Sequence, residues 1–333
     1  MKSLFLAAVC ALGVGSALVA QDMRFTQYNA IPTSLNPAFA GASDQSRLVT
    51  AYRNQWSALP QAYTGWHVAH DWYQRDIRSG FGVLFSNELA GSGALRNARA
   101  AFQYAYEIPL GGGRRIRPAL QAALGNRSID MSRLTFSDQL VRGGAATSIE
   151  APPSAAQTYV DLGAGFVYFG KRSWVGFSAD HVNRPDESLN ASYFDPMGIR
   201  TSTSGGFRMK VGDPMRRRNR PDMVFAFNYI TQEQFNQMDL GLYYDTRPLS
   251  VGVWYRGLPF GHSVEGSTDV DALSVILGYG KDTWRIGYSY DFTVSPLGLN
   301  TTGGSHELVL KYAWSRVQRG RPTAPRYFPC AEF

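Results

Sequence analysis

The sequence has 333 residues, a formal net charge of +7, 13% aromatic residues, 34 glycines and two cysteines. After the apolar leader, no run approaches the ~18 apolar residues of a membrane helix, and Cys330 is then the one remaining cysteine, so an internal disulfide is excluded. The charge is not read as a nucleic-acid footprint, because an exported chain meets little nucleic acid. Many aromatics and glycines at moderate hydropathy suit a barrel with aromatic girdles.

Residues 1–20 read as a signal peptide. Lys2 supplies the positive start, Leu4 to Ala20 is apolar or small, and Ala20 before Gln21-Asp22 offers a cleavage point. Cys10 does not make a lipobox, since Ala7 stands where leucine is wanted. The mature chain 21–333 is therefore soluble outside the cytoplasm or crosses a membrane as a closed barrel, because lipid leaves no other way to satisfy the backbone. Residues 21–46 carry Pro32 and Pro37 with little alternation and form a non-strand segment. Its Phe25, Tyr28, Leu35 and Phe39 suit either periplasmic docking or a lumen plug.

From there to residue 315 the chain alternates with period two, the strand signature. In 283–291, Trp284, Ile286, Tyr288 and Tyr290 fall on one face and Arg285, Gly287, Ser289 and Asp291 on the other. The same division recurs in 98–107, 160–168, 238–245 and 307–314. Fourteen strands are predicted: 47–54, 63–70, 79–87, 96–108, 115–125, 158–169, 173–181, 200–211, 222–229, 238–245, 249–256, 272–280, 283–291 and 305–315. Most approach the ~9–11 residues of a tilted membrane strand, and the number is even, as in bacterial single-chain barrels. The expected fold is thus all-β, a transmembrane outer-membrane barrel of about fourteen antiparallel strands over 47–315.

Connections are expected to alternate. The short ones are 71–78, 109–114, 170–172, 212–221, 246–248 and 281–282. The longer ones are 55–62, 88–95, 126–157, 182–199, 230–237, 257–271 and 292–304. Short periplasmic turns and longer outside loops are the barrel pattern. The short set is basic, including Arg114, Arg115, Lys171, Arg172, Arg216, Arg217, Arg218, Arg220, Arg247 and Lys281. These are either solvated turns or a surface for an anionic periplasmic partner. Residues 316–333 follow as a tail, periplasmic or lumenal.

Chemistry is sparse. His67 and His70 would face opposite sides of a strand, as would the neighbours Ser305, His306 and Glu307, so neither group forms a metal pair or a relay. Gly111-Gly112-Gly113 joins two strands and is read as a turn rather than a phosphate cradle. No metalloprotease, nucleophile-elbow, Walker or dinucleotide motif is present, and no enzyme, cofactor or metal site is expected. The interior charges Arg99, Glu107, Asp161, Asp180, Asp239, Asp245, Arg285, Asp291, Glu307 and Lys311 either brace the lumen with salt bridges or grip an inserted peptide.

Several segments then carry a resemblance. They are Phe25-Thr26-Gln27-Tyr28, Leu35-Asn36-Pro37-Ala38-Phe39-Ala40-Gly41, Tyr52-Arg53-Asn54-Gln55-Trp56, Gly80-Phe81-Gly82-Val83, Arg285 to Asp291, and Gly304 to Leu308. In this order they resemble the PorP/SprF family of type IX secretion system outer-membrane proteins of Bacteroidota, over essentially the whole mature chain. The ending, Pro329-Cys330-Ala331-Glu332-Phe333, departs from the family pattern. The resemblance implies an outer-membrane component that anchors or assists export of a surface protein through that partner's C-terminal sorting domain, with a possible link to gliding. It also implies contacts with periplasmic or lipoprotein components of the apparatus. The partner-binding candidates are Arg53, Asn54, Trp56, Arg285, Asp291, Ser305, His306 and Glu307. The alternative is a passive porin or small-solute channel.

Overall fold

The computed structural model describes residues 24–315 apart from 61, 92–94, 145–147, 150–155, 190–193, 213–219, 263–267, 282 and 296–297. The expected leader, 1–20, and tail, 316–333, lie outside the described residues. The strands are β1 (Gln45–Gln55), β2 (Tyr63–Gln74), β3 (Ser79–Ala90), β4 (Leu95–Tyr106), β5 (Ile108–Gly111), β6 (Arg114–Ile129), β7 (Ala156–Phe169) and β8 (Ser173–Asp180). They continue as β9 (Arg200–Lys210), β10 (Asp222–Gln232), β11 (Phe235–Asp245), β12 (Leu249–His262), β13 (Thr268–Lys281), β14 (Trp284–Thr293) and β15 (Ser305–Ser315).

Each strand pairs antiparallel with its neighbours in sequence, and the ring closes where β1 meets β15 along Gln45↔Ser315 to Gln55↔Ser305. β4 pairs with β6 through Ala105↔Ala119, and β5 pairs with β6 through Ile108↔Ile116 in the same register. They are one barrel strand interrupted at Glu107, so the closed barrel has fourteen, as the periodicity predicts. All fourteen predicted strands are present.

The loop pattern differs from the expectation. Several strands run beyond their predicted ends, so β10 and β11 are joined by Glu233 and Gln234 alone, and β3 and β4 by 91–94. The connection between β9 and β10, 211–221, falls where 212–221 is expected and is as long as several on the other side. Long connections do cluster at the end opposite Gln45 and Ser315, namely 130–155, 181–199 and 294–304, but length does not alternate strictly. The cause is extension of the ladder: once two strands pair, backbone groups that would otherwise need water are satisfied by continuing the pairing. For the same reason Asp71, assigned to the connection 71–78 by sequence, lies within β2 and is buried.

Outward positions are apolar and exposed on consecutive strands: Tyr52, Trp66, Val83, Phe102, Leu120 and Leu162 are examples from β1 to β7. An apolar band around the whole circumference is untenable in water and suited to lipid. Near the end that carries Gln45 and Ser315, an outward aromatic series runs Trp284, Tyr312, Trp314, His70, Trp72, Phe81, with neighbouring ring centroids 4.4 to 5.6 Å apart. Among the described residues no helix is long and apolar enough to cross a membrane.

Inward positions carry the polar and small residues, but also six buried aromatics: Tyr73, Tyr159, Phe169, Trp174, Tyr243 and Trp254. Four of these sit directly across from glycine. The pairs are Trp174↔Gly206, Trp254↔Gly241, Tyr243↔Gly252 and Tyr159↔Gly125. A Cβ at Gly206 or Gly241 would lie 2.2 Å from the facing indole ring. Glycine therefore vacates the cross-strand space that the ring occupies, and the pair together covers the backbone. Gly206→Val should cost about 1–3 kcal/mol, because the β8 ring must leave its rotamer or the strands must part. The check is the urea midpoint of the folded barrel in detergent; an unchanged midpoint would show that Trp174 is free to move aside.

Candidate functional site

Residues 24–44 lie inside the barrel. Ile31, Ala38, Ala40 and Ala42 are buried, as are Phe25, Tyr28, Leu35 and Phe39. The path starts beside Gln237 at the loop-bearing end, where Arg24 bonds its side chain, and ends at β1 on the opposite rim. A segment with so little regular structure needs partners for its backbone groups, and the barrel wall provides them. Gln103 donates to Thr33 O at 2.8 Å, Ser178 to Leu35 O at 3.1 Å, Arg117 to Ala38 O at 3.0 Å and Arg47 to Phe39 O at 3.2 Å. The N–H of Gly41 donates to Asp71 at 2.8 Å. Arg117 also reaches Ala40 O.

The motif Leu35 to Gly41 has a local mechanism. Asn36 caps the 3-10 turn Pro37–Phe39, its Oδ1 accepting from the N–H of Ala38 at 2.9 Å, with Pro37 at the first turn position. The Asn36 amide meanwhile donates to Phe177 O at 2.9 Å and Phe166 O at 3.2 Å in the wall. Gly41 has φ +59, and a Cβ there would fall 2.3 Å from Trp72 O. Gly80 lies against Ala40 O, 2.0 Å from where its Cβ would stand. These glycines let the segment's backbone touch the backbones of β2 and β3.

At the other end of the segment lies a cluster of charges. Glu307 on β15 accepts the N–H of Thr26 at 2.6 Å and of Gln27 at 2.9 Å. Arg53 on β1 pairs with Asp291 on β14 at 2.7 Å and with Glu307 at 3.2 Å. The Thr26 hydroxyl donates to Asp291 at 2.8 Å and accepts from Arg53 at 2.7 Å and from Arg256 at 3.1 Å. Arg256 in turn pairs with Asp239 at 3.1 Å, and Asp239 accepts the hydroxyl of Tyr28 at 2.7 Å. The ring of Tyr28 meets Trp254 edge-on at 5.6 Å. Arg53, Glu307, Asp239 and Asp291 are each no more than 2% exposed, so their charges are compensated within the cluster.

The structure divides the eight residues singled out by sequence. Arg53, Asp291 and Glu307 meet in this cluster, and Ser305 is buried beside it, across from Asp291. Asn54 and His306 are cross-strand partners on the outer face, where the His306 Nδ1 lies 2.8 Å from the Tyr288 hydroxyl. Trp56 stands just beyond β1 with φ +61, its N–H donating to Gly304 O at 2.9 Å. Arg285 faces inward across from Lys311 at the opposite mouth. Some interior charges brace the wall as foreseen, and others hold the chain's own inner segment. Arg99 bridges to Asp161, and Arg200 to Asp180 at 2.8 Å, bracing the wall, while Glu307, Asp291 and Asp239 hold the inner segment.

Sequence reasoning put Gln103 on the polar face of 98–107 but singled out none of Arg47, Asp71, Gln103 and Arg117 for a role. Arg47 and Arg117 lie within the predicted strands 47–54 and 115–125 at the parity of Arg53 and Gln121, so parity alone marks them as inward, and extending 63–70 by one residue does the same for Asp71. Glu307→Ala would take from Arg53 one of its two carboxylate partners and orphan two buried N–H groups. A cost of about 3–5 kcal/mol is expected, by analogy with breaking a buried ion pair. Hydrogen exchange at Thr26 and Gln27 should accelerate before exchange in the strands does. Equal protection in the variant would show that the carboxylate does not hold the segment.

Among solved structures, a triple mutant of the Rhodopseudomonas blastica porin aligns with 81% of this chain and 99% of its own at 7% identity, TM-score 0.33. A second mutant of that porin has 6% identity with the same coverage and a TM-score of 0.34. These likenesses are too low to bear on function. No curated protein sequence matches. The family model described as type IX secretion system membrane protein PorP/SprF matches residues 17–312, nearly the whole chain, including the inner segment and the barrel up to the last three residues of β15; this protein belongs to the PorP/SprF family of type IX secretion system membrane proteins, located in the outer membrane, and not to an enzyme family.

Proposed function

We propose that the barrel acts in type IX secretion as a closed anchor. In this reading it retains or assists a surface protein through that partner's C-terminal sorting domain, with the loop-bearing end toward the cell surface. The observation that supports it is the occupied lumen. A barrel of about fourteen strands is wide enough to conduct unless something fills it. Here residues 24–44 run its length and are bonded to the wall from β1 round to β15. A porin needs a continuous water path; an anchor needs rigidity and an outward face. The exposed basic residues at the opposite rim, among them Arg78, Arg114, Lys171, Arg172, Arg247 and Lys281, would face the periplasm and suit an acidic surface of other components of the apparatus.

Two measurements test this. Reconstituted in a planar bilayer, the protein should give no steady ohmic conductance, whereas the porin alternative requires one. Deleting its gene should strand one exported protein with a C-terminal sorting domain. Unchanged surface display of all such proteins would overturn the anchor.

A further inference from the structure

Resting on the anchor reading, we propose that the cavity above the inner segment at the loop-bearing end is a carboxylate-binding site for an extended peptide, with Arg24 and His67 as its polar contacts. The cavity measures about 90 Å³ and is lined by Arg24, Phe25, Leu35, His67, Met197 and Ile230, among others. At ~10–15 Å³ for each enclosed water on this measure, it has room for several waters, enough for a carboxylate and a short apolar stem.

Its polar groups are incompletely used. Arg24 donates through Nη1 to Gln237 Oε1, while its Nε and Nη2 are buried with no hydrogen-bond partner among the described residues. Those two N–H groups lie side by side on one edge of the planar guanidinium, the edge that takes both oxygens of a carboxylate. His67 is 4% exposed on β2, and its Nε2 also has no partner. The Phe25 ring lies 5.7 Å from the imidazole and fixes the two side chains in one wall of the cavity. The other arginines lining the cavity already face wall carboxylates, Arg99 with Asp161 and Arg200 with Asp180, whereas Arg24 pairs with an uncharged amide. Buried donors are almost always satisfied, and three unsatisfied groups around one small opening point to a ligand. Its chemistry is that of the complement: two acceptor oxygens beside an apolar side chain, with Leu35, Met197 and Ile230 to receive the latter.

A peptide can present a carboxylate from its C-terminus or from an acidic side chain. Three acetylated pentapeptides of glycine and serine separate them: one ending in valine as the free acid, one ending in valine amide and one ending in aspartate amide. Titrated calorimetrically into the detergent-purified full chain, the valine acid should bind at least tenfold more tightly than the valine amide. Aspartate amide matching the acid would identify a side-chain carboxylate as sufficient; aspartate amide matching valine amide would identify the chain terminus. Either supports the site. Arg24→Gln should abolish the acid-over-amide preference, and Arg24→Lys, which keeps the charge without the fork, should restore part of it. If Arg24→Gln does not fold, His67→Gln takes its place, and the wild-type acid-to-amide ratio stands on its own. Equal binding of acid and amide, no binding of either at millimolar concentration, or an unaltered preference in Arg24→Gln would overturn the inference. If the peptides fail while deletion of the gene still strands a surface protein, this site falls and the anchor survives.

Discussion

Glu307 accepts two main-chain N–H bonds from residues 26 and 27 while its charge is held by Arg53 across the junction of the first and last strands. β1, β15 and the inner segment meet at this carboxylate, and β14 joins them through Asp291, the other partner of Arg53. The geometry is demanding because the charges are removed from water. An arginine buried among apolar groups would be costly, but the two terminal nitrogens of this one meet the Asp291 and Glu307 carboxylates and the Thr26 hydroxyl, which offsets much of that cost. Because β1 and β15 contribute opposite signs to the cluster, closing the barrel and seating the segment are coupled events. Glu307 lies on the last strand, so the amides of Thr26 and Gln27 find their acceptor only once β15 has reached β1.

Filling the lumen takes two materials. Polar wall residues reach the segment's carbonyls, as Gln103, Arg117 and Ser178 do. Elsewhere, aromatic rings fold over facing glycines and extend the apolar core inward from the wall. The apolar cluster that includes Tyr28, Leu35, Phe39, Phe169, Trp174, Tyr243 and Trp254 joins the two, part from the segment and part from the strands. An outer-membrane barrel usually reads as apolar outside and polar inside. This one has a genuine core inside, which makes the segment a structural member and not a loose insert.

Strand number and side-chain direction were legible because period two is insensitive to small boundary errors: misplacing an end by two residues leaves parity intact, so Asp291, Asp161 and Arg99 were assigned to the interior correctly. Strand ends were less legible, because continued pairing into Glu88–Ala90 or Ile230–Gln232 depends on a partner strand distant in sequence. That error removed Asp71 from the interior. The division of inward glycines into two kinds was also hidden. Gly206 and Gly241 vacate space for a ring, whereas Gly80 and Gly41 permit backbone contact with the segment. Only knowing what lies opposite separates them, and sequence spacing does not supply it.

The direction in which the segment runs then constrains what the barrel can do. Residue 24 lies near the loop-bearing mouth, and the chain enters β1 at the opposite rim, so Gln45 anchors one end covalently and Glu307 with Arg53 anchors the other. A filling held at one end could swing aside as a gate. Held at both, and bonded to β2, β4, β6 and β8 between them, it can leave only by breaking buried pairs along its whole length. Opening would therefore expose several charges and main-chain groups together, a cost that a small solute passing through could not offset by binding. A partner that docks at the loop-bearing mouth meets a fixed floor made of Arg24, Phe25 and Leu35, and its binding energy goes into being held there rather than into passage.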